Sequence, residues 1–441
     1  MEQARADVNK YQGRAAAARC EMACLLLCGV LFAQASQPHA TPAAPFAIAW
    51  NSPWPSACAA NASTDDALTR WGVTTNAANA FNGAAVTTLY NSPGRMTLGL
   101  WPCYRANGSA VNGGLPQLAN LSAHLAKVRA DAAAALPDPA FSGYAVIDWE
   151  VWTPWLPEMV VGTLPPPAAR SLYFNASLRL AGGDVAAAAA AWNASSLALM
   201  AATLRTAREV RPRAKWGYFG LVQCTFDVGA QACRPEFQRI NDALGPLWAA
   251  SDVLYPELYA TCPFAGSGGG GDDGDGDGDG AGAAGSGDVR CAASAKVPLK
   301  IEARLAEANR VARAAAASPG AGGRRPPLGI VPFAWYDLDD GVCTSSTPGQ
   351  PVGHCPLMRD AADLRAEFGT AREAGAEALV VWGSSGDVRN ASLCAAMSEY
   401  VSRTLGPVMA AELRGTTTGM TTGLMTGLPP ALNVTLPGSI N

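Results

Sequence analysis

Two acidic residues one position apart carry the most chemistry in this sequence. The run Tyr144-Ala145-Val146-Ile147-Asp148-Trp149-Glu150-Val151-Trp152 leads a mostly apolar strand pattern into Asp148 and Glu150. Side chains alternate faces along a strand, so the two carboxyls point the same way, about 6–7 Å apart at the backbone. Trp149, Trp152 and Trp155 surround them with apolar surface. Two acids held together and partly shielded from water resist double ionisation, so one keeps its proton. A neutral acid beside an anion suits glycoside hydrolysis, where one group protonates the leaving oxygen and the other steadies positive charge. Solvated acid pairs at strand ends are common; the three tryptophans separate this pair from that plainer reading.

Such a pair needs a rigid frame. Strand patterns cover residues 46–50, 86–90, 143–150, 215–220, 253–259, 329–336 and 378–383. Ala-rich amphipathic stretches at 115–136, 185–210, 235–249, 298–317, 361–374 and 393–404 read as helices. Near-continuous apolar strands alternating with helices argue for an α/β fold with a parallel sheet under helices. Seven such repeats, with polar or aromatic residues at the strands' carboxyl ends, favour a distorted TIM-like (β/α) barrel of about seven strands. Its mouth would hold the site.

The compartment can be read from the ends and the cysteines. Residues 1–35 have a polar lead with Lys10, Arg14 and Arg19, an apolar core, and an Ala33-Gln34-Ala35 exit, the pattern of a secretory signal peptide. Residues 36–45 read as a linker and 46–410 as the barrel. Residues 266–287 form a Gly/Asp-rich insertion without packing pattern or EF-hand spacing, expected to be a disordered acidic loop. Residues 411–441 read as a disordered tail lacking a lipid-anchor signal. Beyond the signal region nine cysteines remain, and eight can form four bridges in an oxidising compartment, leaving Cys103. Cys262 and Cys291 flank the acidic loop, and Cys343 and Cys355 are placed to close a surface loop after the sixth strand. Asn-x-Ser/Thr sequons, among them Asn107, Asn120 and Asn175, also fit export. The expectation is a secreted or lumenal glycoprotein, extracellular or in a lysosome- or vacuole-like compartment, with no membrane attachment after signal cleavage. Six aspartates of the acidic loop region account for the net charge of −4; without them the balance is +2, leaving no basic field for nucleic acid. Three scattered histidines and no metal-ligand spacing predict neither metal nor cofactor.

Ala145-Val146-Ile147-Asp148-Trp149-Glu150 with Trp152 and Pro154 resembles the catalytic strand of the hyaluronidase family of β-N-acetylhexosaminidases, glycoside hydrolase family 56. Phe46-Ala47-Ile48-Ala49-Trp50-Asn51 with Cys58 is similar to its opening strand. Lys215 to Gly220 with Cys224, Leu254 to Tyr259, and Val380 to Ser385 resemble the fourth, fifth and last strands, in the same order. The resemblance implies a secreted endo-acting hydrolase that cleaves β-1,4 bonds of hyaluronan, chondroitin or related N-acetylhexosamine polymers. The expected protein is a monomer working on that polysaccharide. It also implies retaining catalysis in which the substrate's own acetamido oxygen attacks the anomeric carbon. Glu150 would be acid and then base, and Asp148 would be the anion that orients the acetamido group. Tyr255 would hydrogen-bond near that group, and Trp382 would wall the sugar pocket. The family's bridges map onto Cys58–Cys394 and Cys224–Cys233.

Two departures matter. The family directs a fourth-strand tyrosine at the substrate where this chain has Phe219; Tyr218 would face away unless a bulge turns it back. The family usually has arginine where this chain has Thr153, which weakens the case for a uronate-bearing polymer. A catalytically weak or inactive carbohydrate-binding barrel is therefore the competing reading. Trp152, Trp382 and, less strongly, Trp335 are candidates to stack on sugar. Glu257 lies between Tyr255 and Tyr259, where a rim salt bridge is a plainer role than a subsite contact.

Overall fold

The computed structural model describes residues 45–58, 66–156, 167–224, 226–227, 232–260, 297–317, 327–337, 342–343, 353–354 and 358–415. The expected signal peptide, most of the linker, the acidic insertion, residues 416–441 of the expected tail, Cys262, Cys291, Cys355 and the side chain of Cys343 lie outside that set.

Eight strands position the site: β1 (Ala47–Asn51), β2 (Val86–Ser92), β3 (Tyr144–Trp149), β4 (Lys215–Tyr218), β5 (Val253–Leu254), β6 (Gly329–Ile330), β7 (Phe333–Trp335) and β8 (Ala378–Trp382). Parallel ladders join β2 to β3, β3 to β4, β5 to β6, β7 to β8, and β8 to β1. Two expected strands are cut short by proline, which cannot donate to a ladder. Pro256 limits β5 to two residues, yet parallel pairs Phe219–Tyr255 and Glu257–Phe333 carry its path onward. Pro332 splits the expected 329–336 strand into β6 and β7.

Among the described residues β1 and β2 share no ladder. Residues 74–76 bridge the seam: the Thr74 backbone exchanges bonds of 2.8 and 2.9 Å with Ile48 and Trp50 on β1, and the Asn76 side chain exchanges bonds of 3.0 and 3.2 Å with the Val86 backbone on β2. Thr88 Oγ1 donates to Asn51 Oδ1 at 2.8 Å.

Strand alternation produces two cores. Ala49, Val86, Val146, Phe219, Val253, Tyr255, Val331, Phe333 and Val380 meet in one cluster on the inner face of the strands. The residues between them, such as Ile48, Ile147, Trp216, Tyr218, Leu254 and Val381, join the larger cluster under the helices. This two-sided burial explains why the strands read as unbroken apolar runs.

The helices are α1 (Leu121–Ala135), α2 (Pro167–Leu180), α3 (Val185–Val210), α4 (Pro235–Ala243), α5 (Gly245–Ala250), α6 (Val297–Ala317), α7 (Ala361–Glu373), α8 (Ala391–Tyr400) and α9 (Gly406–Leu413). Asp184 caps α3 by accepting from Ala186 N and Ala187 N, and Asp360 caps α7 in the same way. α1 is pinned by His124, which is fully buried. Its Nδ1 accepts from Leu100 N at 3.0 Å, so its proton lies on Nε2, 2.8 Å from Thr203 Oγ1 on α3. The expected helix at 393–404 widens over Val401–Leu405 into a π turn that keeps helical backbone and continues as α9 to Leu413. Regular structure thus reaches past residue 411, where the tail was expected to begin. Cys58–Cys394 ties the segment after β1 to α8, with Cα atoms 5.6 Å apart, and Cys224–Cys233 closes the loop after β4. Cys103 is a buried free thiol.

Candidate active site

The carboxyl end of β3 delivers the acids. Val146 belongs to the inner cluster, so two residues on Asp148 also faces inward, and Glu150 follows as the strand ends. Asp148 is 8% exposed whereas Glu150 is open to solvent. The two side chains hydrogen-bond. Burial, then the neighbouring Glu150 charge and that hydrogen bond, hold the Asp148 carboxyl well above the usual carboxylate range. The family resemblance implied the retained proton on Glu150; the burial of Asp148 favours the neutral form of that carboxyl as well.

Neighbouring strands close in around the pair. Tyr90 on β2 is the register partner of Asp148. Its hydroxyl accepts from Trp382 Nε1 at 2.7 Å, and burial and the Asp148 charge push its proton loss upward. The half-buried Trp382 stacks on Tyr259, with ring centroids 5.5 Å apart, and meets Trp335 edge-on at 4.9 Å. Tyr259 also touches Phe219, and its hydroxyl, held protonated chiefly by burial, feels the charges of Tyr90, Glu257, Asp148 and Glu150. Behind this wall Asp387 accepts from Tyr336 Oη at 2.8 Å, Ser384 N at 2.9 Å and Trp335 Nε1 at 3.4 Å. Gly383 is required there: a Cβ would collide with Tyr336 and Ser52. An acid pair, two tyrosine hydroxyls and an indole face thus converge at one mouth, equipment for gripping and protonating a sugar.

A family model described as Hyaluronidase matches residues 35–268. Hyaluronidase-1 of Bos taurus is 30% identical over 413 residues, covering 91% of this chain and 79% of the relative. Hyaluronidase-1 of Homo sapiens is 30% identical over 377 residues, covering 83% and 73%. The chain belongs to the hyaluronidase family. It is accordingly a glycoside hydrolase by membership. Two solved structures of bee venom hyaluronidase share its TIM-barrel-type fold at TM-score 0.63. One is 23% identical and covers 83% of this chain and 99% of that one. The other, in complex with a hyaluronic acid tetramer, is 24% identical and covers 83% and 98%.

Within this hyaluronidase-family chain, the geometry departs from two expected contacts, those of Tyr255 and Trp152. The Tyr255 hydroxyl donates to Lys215 O at 2.5 Å, at the amino end of β4 and so away from the acids. Tyr259, four residues on along the same face, stands near the pair instead. Trp152 is fully enclosed by Trp101, Trp149 and Trp192, and its indole donates to Pro102 O at 2.7 Å, so no sugar can reach its face. Tyr218 points to the helices and donates to Met200 O at 3.0 Å; there is no bulge to bring it inward. Phe219 does face inward, against Tyr259 and Phe333, and supplies no hydroxyl. Tyr90 was missed, although its place at the end of the 86–90 pattern was a usable signal.

Proposed function

We propose that this chain hydrolyses β-1,4 bonds of hyaluronan- or chondroitin-type or related N-acetylhexosamine polymers, with the substrate's acetamido oxygen as nucleophile and overall retention. The observation that carries the reading is the hydrogen-bonded pair of buried Asp148 and exposed Glu150 at the inner mouth.

The unequal burial suggests how the proton is moved. In the free protein the shared proton rests on Asp148. A bound polymer covers Glu150 and strips its water, raising the cost of its charge. Positive charge developing on the acetamido nitrogen then favours an anionic Asp148. Both changes drive the proton along the existing hydrogen bond to Glu150, which delivers it to the leaving oxygen and afterwards takes one from water. Tyr259 would donate to the acetamido oxygen, a role Phe219 lacks the hydroxyl to fill. Trp382, held by Tyr90, would wall the ring that reacts. We also infer that the strands curve into a closed barrel around the inner cluster, with the 74–76 segment and the Asn51–Thr88 bond completing the seam. Two disulfides and the family's occurrence in venom suit a secreted or lumenal protein.

Incubation with hyaluronan, chondroitin and chitin oligomers, followed by reducing-end measurement, tests the reading. Appearance of new ends that is abolished in Glu150→Gln is expected. Binding of oligomers without any new ends would leave a carbohydrate-binding protein and end the hydrolase proposal.

A further inference from the structure

One acid near the mouth is not used by that mechanism. Val253 and Tyr255 face the inner cluster, while Leu254 and Leu258 face the helices. Glu257 pairs with the inward-facing Phe333 and so continues the inner row, two residues before Tyr259. Its charge bears on the Tyr259 hydroxyl together with those of Asp148 and Glu150. From α6, Arg304 Nη1 donates to the Glu257 main-chain oxygen at 2.6 Å and stands 3.7 Å from Glu257 Oε1. The side chains of Arg304 and Glu257 are 31% and 27% exposed.

We propose that Glu257 sets the charge of the sugar accepted beside the scissile bond, favouring an uncharged ring over a uronate. The inference rests on the hydrolase reading above and names its specificity. A guanidinium is the natural partner for a uronate carboxylate. Arg304 is already engaged by Glu257, so a uronate must displace that partner and then lie beside a second carboxylate of like charge. Two like charges at such separations, half-screened by solvent, shift the preference on the order of tenfold. The same wall without Glu257 would offer Arg304 to a uronate and reverse the preference.

The test compares a hyaluronan oligosaccharide with the same oligosaccharide after its carboxyls are reduced to alcohols. Glu257→Gln should raise kcat/KM for the charged form relative to the reduced form by about tenfold, with the gain shrinking as salt is added. Arg304→Gln should lower the same ratio, and the gain from Glu257→Gln should be smaller in that background. A ratio unmoved by Glu257→Gln, or by Glu257→Ser should the glutamine variant fail to fold, overturns the proposal. Calorimetric Kd values for the two oligosaccharides give the same ratio whether or not cleavage occurs. Absence of cleavage therefore sinks the hydrolase reading, while an unmoved Kd ratio sinks the role of Glu257.

Discussion

At the scale of single residues, function and stability pull against each other at Asp148. Its carboxyl binds a proton more tightly folded than unfolded, so folding takes up a proton there. That contribution to stability is full below about pH 4, near the unfolded value, and declines as pH rises toward the raised folded value. Asp148→Asn removes the decline: its melting temperature should exceed that of the unaltered protein at neutral pH, with the gap closing in acid. Activity should fall at least a hundredfold in the same variant, since the asparagine cannot carry the anion. Tyr259→Phe should lower kcat by about 10²–10³ while leaving the melting curve nearly unchanged, because one preorganised donor is worth roughly 2.7–4 kcal/mol. Equal losses in Tyr255→Phe would reassign the donor to the deeper tyrosine.

At the scale of elements, α7 is docked by a buried charge pair. Arg359 Nη1 lies 2.5 Å from Glu367 Oε2 with both side chains wholly buried, and it also donates to Trp335 O at 3.1 Å. Burial pushes the Glu367 carboxyl up to about 7 even though Arg359 opposes that shift. Arg359→Leu should cost about 3–5 kcal/mol in urea unfolding, and adding Glu367→Leu should restore much of it, since a lone buried charge is worse than none. The element pattern was readable because the strands are apolar on both faces and α3 and α7 open on Asp184 and Asp360. α2 was not foreseen; its residues 167–180 follow a proline run and show little apolar periodicity. The spacing of Asp148 and Glu150 was legible for the same reason as the strands: period-two geometry is local. Depth is not local. Tyr255 and Tyr259 share a face, and only the register of β5 against β4 and β7 says which hydroxyl lies near the acids. Trp152 was misjudged likewise, because Trp101 and Trp192, which enclose it, come from distant parts of the chain.

At the scale of the whole molecule, the first and last strands meet side by side, and Cys58–Cys394 spans 336 residues to lock that meeting. Replacing both cysteines by alanine should cost about 3–5 kcal/mol, seen as a melting temperature below that of the unaltered protein when both are measured without reducing agent. The weak joint lies next to it, where β1 and β2 are joined through the 74–76 segment and the Asn51–Thr88 contact. The indole-to-phenol bond from Trp382 to Tyr90 crosses from β8 on one flank of that joint to β2 on the other. A sugar lodged against Trp382 would therefore act as a rivet, and amide protons on either flank should exchange more slowly whenever the cleft is filled.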